Sequence, residues 1–248
     1  MKIKKILYAT NLEKPTYELC EGLTDIKEVG LEEIVLLSVG LPEELLKKFT
    51  SHGITVRGID GSGQLIPGIL DSAKREGVSL IVADIRREKR GLFTGSTTRN
   101  LIQKSHLPLL IVKEGSYPKE GIFHSVVFAT DWSETAQKAL DYTLGIKKLI
   151  GVLDIVNVIN EKLTVKEIRE LKGKVEDIRK VCLQEKIDAE SHIYAGKTTE
   201  EILLAVKDYD ATVIVMGTRC RGAVKGLLSG SSSYRVAEEA PVPLLVIP

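Results

Sequence analysis

Short and almost unbroken apolar runs recur along the chain: ILYAT at residues 6–10, IVLLSV at 34–39, SLIVAD at 79–84 and LLIVK at 109–113. They show no alternation of apolar and polar positions and are rich in β-branched residues, the pattern of strands covered on both faces. Between such runs lie charged segments with a single apolar stripe. Ile168, Leu171, Val175 and Ile178 fall at helical spacing among lysines, arginines and glutamates, which predicts a surface helix with one buried face. Strand and helix in alternation predict an α/β layered fold around a parallel sheet. Ligands of such sheets collect beyond the carboxyl ends of the strands, and Asp131 and Gly217 fall at two of those ends.

The pattern repeats. KKILYATN (Lys4 to Asn11) is matched by HSVVFATD (His124 to Asp131), and IVLLSVG (Ile34 to Gly40) by LDIVNVI (Leu153 to Ile159). In the same order, GVSLIVAD (Gly77 to Asp84) matches DATVIVMG (Asp210 to Gly217), GLFTGS (Gly91 to Ser96) matches GLLSGS (Gly226 to Ser231), and LPLLIVK (Leu107 to Lys113) matches VPLLVIP (Val242 to Pro248). Five ordered matches predict duplicated domains, 1–115 and 116–248, joined at the polar Gly/Pro stretch from Glu114 to Glu120.

Composition narrows the partners. Thirty-five Lys and Arg against 34 Asp and Glu leave no global field to hold nucleic acid or an anionic membrane. No run approaches the roughly 18 to 20 apolar residues of a membrane span, and Met1-Lys-Ile-Lys-Lys5 leads into a strand, so a cytoplasmic protein is expected. Cys20, Cys182 and Cys220 are odd in number and without a C-x-x-C pair, which argues against disulfides or a structural zinc site. His52, His106, His124 and His192 lie in separate elements without ligand spacing, so no metal site is expected from the sequence.

The loop from Val215 to Val236, VMGTRCRGAVKGLLSGSSSYRV, carries the candidate chemistry. A strand delivers the chain to Gly217, and Ser231, Ser232 or Ser233 caps the helix that follows, leaving free N–H groups that attract anions. Gly217 and Gly230 admit a close backbone approach, while Arg219, Arg221 and Lys225 supply positive charge. A plain glycine turn with solvated basic residues remains the alternative on these features alone.

The spacing Gly217, two residues, position 220, nine residues, Gly230-Ser231 resembles the G-x-x-G-x9-G-[S/T] signature of nucleotide-binding universal stress proteins. The resemblance covers essentially the whole chain as a tandem, including the ATD strand end and the terminal VPLLVIP strand. It implies two Rossmann-like, adenine nucleotide alpha hydrolase-like domains, each a five-stranded, mainly parallel sheet sandwiched by helices. It also implies binding of ATP or AMP, with or without Mg2+, in stress adaptation. By that resemblance Asp131 contacts ribose or adenosine, and Val158 offers backbone groups to adenine. Ala129 and Thr130 line one wall, Met216 and Gly217 the other, with Arg219 and Cys220 following. Gly230, Ser231 and Ser232 hold phosphates. The terminal strands LLIVK and LLVIP, edge strands in the family, are expected to pair as an internal pseudo-dimer; dimerisation of whole chains stays open.

Two departures matter. Cys220 stands at the signature's second glycine, as a tolerated small residue or as a redox-sensing thiol beside Arg219 and Arg221. The first half departs further, with Asn11 for Asp131 and Asp84 for Gly217, which puts a carboxylate where phosphates would pass. It keeps Gly95-Ser96 and reads as a partner that has lost nucleotide binding; Arg86, Arg87, Lys89 and Arg90 read as a solvated loop. The stretches from Ser191 to Thr198 and from Gly58 to Leu65 are incomplete P-loops, since the glycines and the lysine never occur together. Ser133 is expected to cap the helix bearing Ala136, Leu140 and Leu144, with Trp132 at the rim. Slow ATP hydrolysis or phosphotransfer, and a scaffold role without nucleotide, are the alternatives to a regulatory nucleotide-binding protein.

Overall fold

The computed structural model describes residues 3–10, 17–38, 43–60, 65–85, 95–218 and 232–248. The first half contributes β1 (Lys5–Thr10), α1 (Tyr17–Asp25), β2 (Glu33–Ser38), α2 (Glu43–Ser51), β3 (Thr55–Asp60), α3 (Leu65–Glu76), β4 (Leu80–Ile85), α4 (Gly95–Lys104) and β5 (Leu109–Lys113). The second repeats the order with β6 (Ser125–Ala129), α5 (Glu134–Gly145), β7 (Val152–Ile159), α6 (Val165–Gln184), β8 (Asp188–Ala195), α7 (Thr198–Asp208), β9 (Val213–Gly217), α8 (Ser232–Glu239) and β10 (Leu244–Ile247).

The two sets of strands fuse into one ten-stranded sheet, ordered β3-β2-β1-β4-β5-β10-β9-β6-β7-β8. Pairing is parallel within each half and antiparallel at the junction, where Leu109, Leu110 and Ile111 face Val246, Leu245 and Leu244. The terminal strands therefore pair as expected, and each removes the other's open edge.

Helices cover both faces. Because side chains alternate across a strand, Ile6 and Tyr8 enter one core with α1, α2, α5 and α6, while Leu7 and Ala9 enter the other with α3, α4, α7 and α8. Each core layer runs through both halves. Contacts across the junction add to it: the Arg99 guanidinium stacks on the Tyr234 ring at 4.7 Å, and Lys113 Nζ donates to the Glu238 carbonyl at 2.9 Å. Tyr117, in the connecting segment, packs over Gly22 of α1, where a Cβ would meet its hydroxyl. Among the described residues no helix is long and apolar enough to cross a membrane.

Candidate functional site

The connections fix where a cleft can open. From β6 the chain crosses through α5, on one face, to β7; from β9 it returns through α8, on the other face, to β10. Neighbouring β6 and β9 thus lead away in opposite directions, and a crevice opens beyond their carboxyl ends. A cleft of about 530 Å³ lies there, bordered also by the end of β7 and by α6. Ala129, Thr130, Asp131, Val158, Met216, Gly217 and Ser232 all line it.

The β6 wall is a tightly bonded turn. Thr130 N–H extends the ladder to the Val156 carbonyl (2.9 Å), and the Thr130 carbonyl accepts from Asn157 Nδ2 (2.8 Å). Trp132, at φ +63°, donates its N–H to Thr130 Oγ1 (3.3 Å), and Ser133 donates its own to Asp131 Oδ1 (3.0 Å). Ser133 Oγ accepts from Ala136 N at 3.1 Å, capping α5 as expected. One oxygen of the exposed Asp131 carboxylate is therefore used by the turn, and the other has no partner among the described residues.

The β7 wall presents backbone. In a parallel sheet a residue's N–H and C=O turn to one neighbour and those of the next residue to the other. Val156 faces β6, since its carbonyl accepts from Thr130. Val158, two residues on, faces the same way, where no described strand lies opposite, because the β6 register ends at Ala129. Its two polar backbone groups open into the cleft.

The β9 wall shows what stands against Gly217. A Cβ at this position would stand 2.4 to 2.6 Å from the carbonyl carbon and oxygen of Thr135 and the nitrogen of Ala136. What comes close to Gly217 is thus the backbone at the start of α5, so the glycine seats the helix that carries the Asp131 turn. Thr218, the next residue, bonds through its N–H to the Ile247 carbonyl (2.8 Å) and through its hydroxyl to Ser233 Oγ of α8 (2.9 Å), both side chains buried. Thr218 and Ser233, described residues on either side of 219–231, are thereby held together. Arg219, Cys220, Arg221, Lys225, Gly230 and Ser231 lie outside the described residues.

In the first half Asp84 pairs in register with Thr10, one step beyond Ala9 and Ala83, as Gly217 stands one step beyond the Ala129 and Met216 pair. Its carboxylate is buried and accepts from the hydroxyls of Tyr8 (3.2 Å) and Thr10 (3.3 Å). Burial and this carboxylate push the Tyr8 phenol well up. The charge is thus turned into the face shared with α1 and α2. Asn11 and the run from Arg86 to Arg90 lie outside the described residues, as does the side chain of Ser96, which follows Gly95 at the start of α4.

Sequence reasoning missed the α6 wall. Glu167, Glu170, Leu171 and Lys174 line the cleft. Leu171 was legible only as part of an apolar stripe. Glu167 closes a capping box with Thr164, whose backbone N–H and hydroxyl hold its carboxyl below the usual range. Lys174 Nζ stands 5.8 Å over the Trp132 ring, and both residues also border a second cavity of about 210 Å³ between α5 and α6. Asn157, with Asp154 one of two polar residues in the mostly apolar β7, carried a signal that went unused. The buried thiol of Cys182 is pushed up to about 11 by desolvation, so it is unreactive, and Cys20 is buried too.

The profile of the universal stress protein family matches residues 4–113 and 123–248. A universal stress protein of Thermus aquaticus is 48% identical over 52 residues, 21% of this chain and 38% of that relative. A second, MJ0577 of Methanocaldococcus jannaschii, is 25% identical over 154 residues, 51% of this chain and 95% of the relative. Among solved structures, a universal stress protein from Archaeoglobus fulgidus superposes with a TM-score of 0.77 at 24% identity, covering 99% of this chain and 96% of the other.

Proposed function

The chain belongs to the universal stress protein family, and on that premise we propose that its second half binds one adenine nucleotide, ATP or AMP, as a regulatory ligand. The observation that carries this reading is the pairing, across one cleft, of the unpartnered backbone edge at Val158 with the exposed carboxylate of Asp131. The edge of an adenine matches a neighbouring N–H and C=O, and a carboxylate oxygen accepts from ribose hydroxyls. A volume of about 530 Å³ falls in the range of small-molecule and cofactor clefts. Ala129 and Met216 supply apolar contact for the base. The phosphates are assigned to residues 219–231, which carry the signature glycine, serine and basic residues and lie between the hydrogen-bonded Thr218 and Ser233. An accompanying Mg2+ has no assigned ligand.

The first half does not share the site in this proposal. Asp84 fills with a carboxylate the place where Gly217 admits α5, and Asn11 replaces Asp131. Its role is to complete the sheet that holds the second half.

Trp132, the chain's single tryptophan, lines the cleft, so its fluorescence reports on binding. Titration with ATP and with AMP is expected to perturb that emission and saturate at one equivalent. Asp131→Asn exchanges a charged acceptor for a neutral one and should weaken binding by about 1.5 to 3 kcal/mol, roughly tenfold to 150-fold. Two equivalents, or unchanged affinity in the variant, would count against the assignment. Mg2+-dependent phosphate release would favour hydrolysis instead.

A further inference from the structure

We propose a divalent transition-metal site, of the zinc type, formed by Asp154, Glu190 and His192 in the second half, apart from the nucleotide cleft. The three side chains stand on one face of two adjacent strands. Glu190 and His192 are two residues apart on β8, and Asp154 of β7 is in register with Glu190. Their donor atoms lie within 4.8 Å of one another. His192 Nε2 is 2.9 Å from Asp154 Oδ1 and 3.9 Å from Glu190 Oε2. Donors around a tetrahedral zinc stand roughly 3.4 Å apart, within reach of a small rotation of the exposed Glu190 side chain. That same exposure gives an ion its way in and leaves a coordination position to water. None of the three residues lines the cleft.

The duplicated half provides an internal control. There Val35 and Arg57 form the register pair that Asp154 and Glu190 form here, and Ile59 occupies the place of His192. Val35 is fully buried, so the fold is satisfied by an apolar residue at the position of Asp154. Arg57 reaches Glu33 and Glu76, and Lys5 joins the same two glutamates, so charge in that corner is compensated. In the second half the carboxylates of Asp154 and Glu190 have His192 as their only ionic partner among the described residues, and Asp188 adds a further negative charge near Asp154. Asp154 is nearly inaccessible, and an uncompensated charge there costs free energy. A bound cation supplies the compensation that Arg57 and Lys5 supply in the other half.

The far side of the imidazole is already arranged. His192 Nδ1 lies 3.0 Å from Tyr209 Oη, and the two rings stack at 4.2 Å. Tyr194 donates to Asp208 (2.7 Å) and is in contact with the Tyr209 hydroxyl. When Tyr209 turns its proton toward Tyr194, Nδ1 carries the imidazole hydrogen and Nε2 presents its lone pair between the carboxylates, as a metal-binding histidine does. A nitrogen donor with two carboxylates suits Zn2+ or Ni2+ over Mg2+.

Calorimetric titration of the untagged, chelator-stripped full chain with zinc chloride, without nucleotide, tests the proposal. One equivalent is expected to bind. His192→Asn and Glu190→Gln should each weaken affinity at least tenfold, and Tyr209→Phe by about tenfold or more. Glu190 is on the surface, so its variant reports on the metal even where His192→Asn disturbs folding. No binding by the wild-type chain, affinity unchanged in Glu190→Gln, or displacement of zinc by equimolar Mg2+ would each overturn the site.

Discussion

Gly217→Ala separates two uses of one glycine. The added methyl carbon would stand 2.4 to 2.6 Å from backbone atoms of Thr135 and Ala136, far inside the contact distance of about 3.5 Å for carbon atoms. Helix backbone cannot rotate away as a side chain would, so α5 must shift. Overpacking of this kind costs about 1 to 3 kcal/mol. For a chain of this size each kcal/mol lowers Tm by roughly 2 to 4 °C, which gives a fall of about 2 to 12 °C by scanning calorimetry. Gly173 is the control: it lies exposed within α6 with nothing within 4 Å of a built Cβ. Alanine there should raise stability by about 0.5 to 1 kcal/mol. Nucleotide affinity should fall in Gly217→Ala as well, since α5 carries the Asp131 turn. An unchanged Tm together with lost binding would refute the reasoning, because it would mean that the glycine clears space for the ligand and not for the helix.

Two further perturbations follow, one from the structure and one from the sequence signature. The Glu167 carboxyl is held below its usual range by Thr164, so its contribution is complete above the unfolded value of about 4.3 and is lost as pH falls through the depressed folded value. Glu167→Gln keeps the capping geometry without that titration, and the Tm difference between wild type and variant should shrink on acidification; a constant difference would contradict the assignment. Cys220→Gly restores the signature glycine and, if the signature requires left-handed geometry there, should tighten ATP or AMP binding by up to about tenfold; calorimetry giving equal or weaker binding would instead mark Cys220 as adapted to the site.

Four strands of each half were legible because a parallel strand buried on both faces leaves an unmistakable apolar run, and because the chain states each run twice, whereas β3 and β8 are too polar to show one. Asp131 and Gly217 were legible as strand ends and Val158 only through the family resemblance; their meeting around one cleft follows from topology. The α6 wall was not, because an amphipathic pattern says which stripe of a helix is buried and nothing about which polar residues overhang a neighbouring crevice. That α5 backbone packs against Gly217 was not legible, since a glycine needed for close approach does not announce what approaches it. Asp154 and His192, 38 residues apart, meet only through strand pairing, so histidine spacing along the chain was uninformative.

The antiparallel junction sets an order of events during synthesis. Leu110 of β5 pairs with Leu245 of β10, 135 positions further along. At about 5 to 20 residues per second the ribosome takes roughly 7 to 27 s to cover that interval. Throughout it the first half can be assembled but presents β5, an apolar strand, with one row of backbone donors and acceptors unanswered. Neighbouring nascent chains on a polysome carry the same open edge. Any stall or premature stop between the two strands would release a product whose most adhesive surface is the one that the finished chain hides.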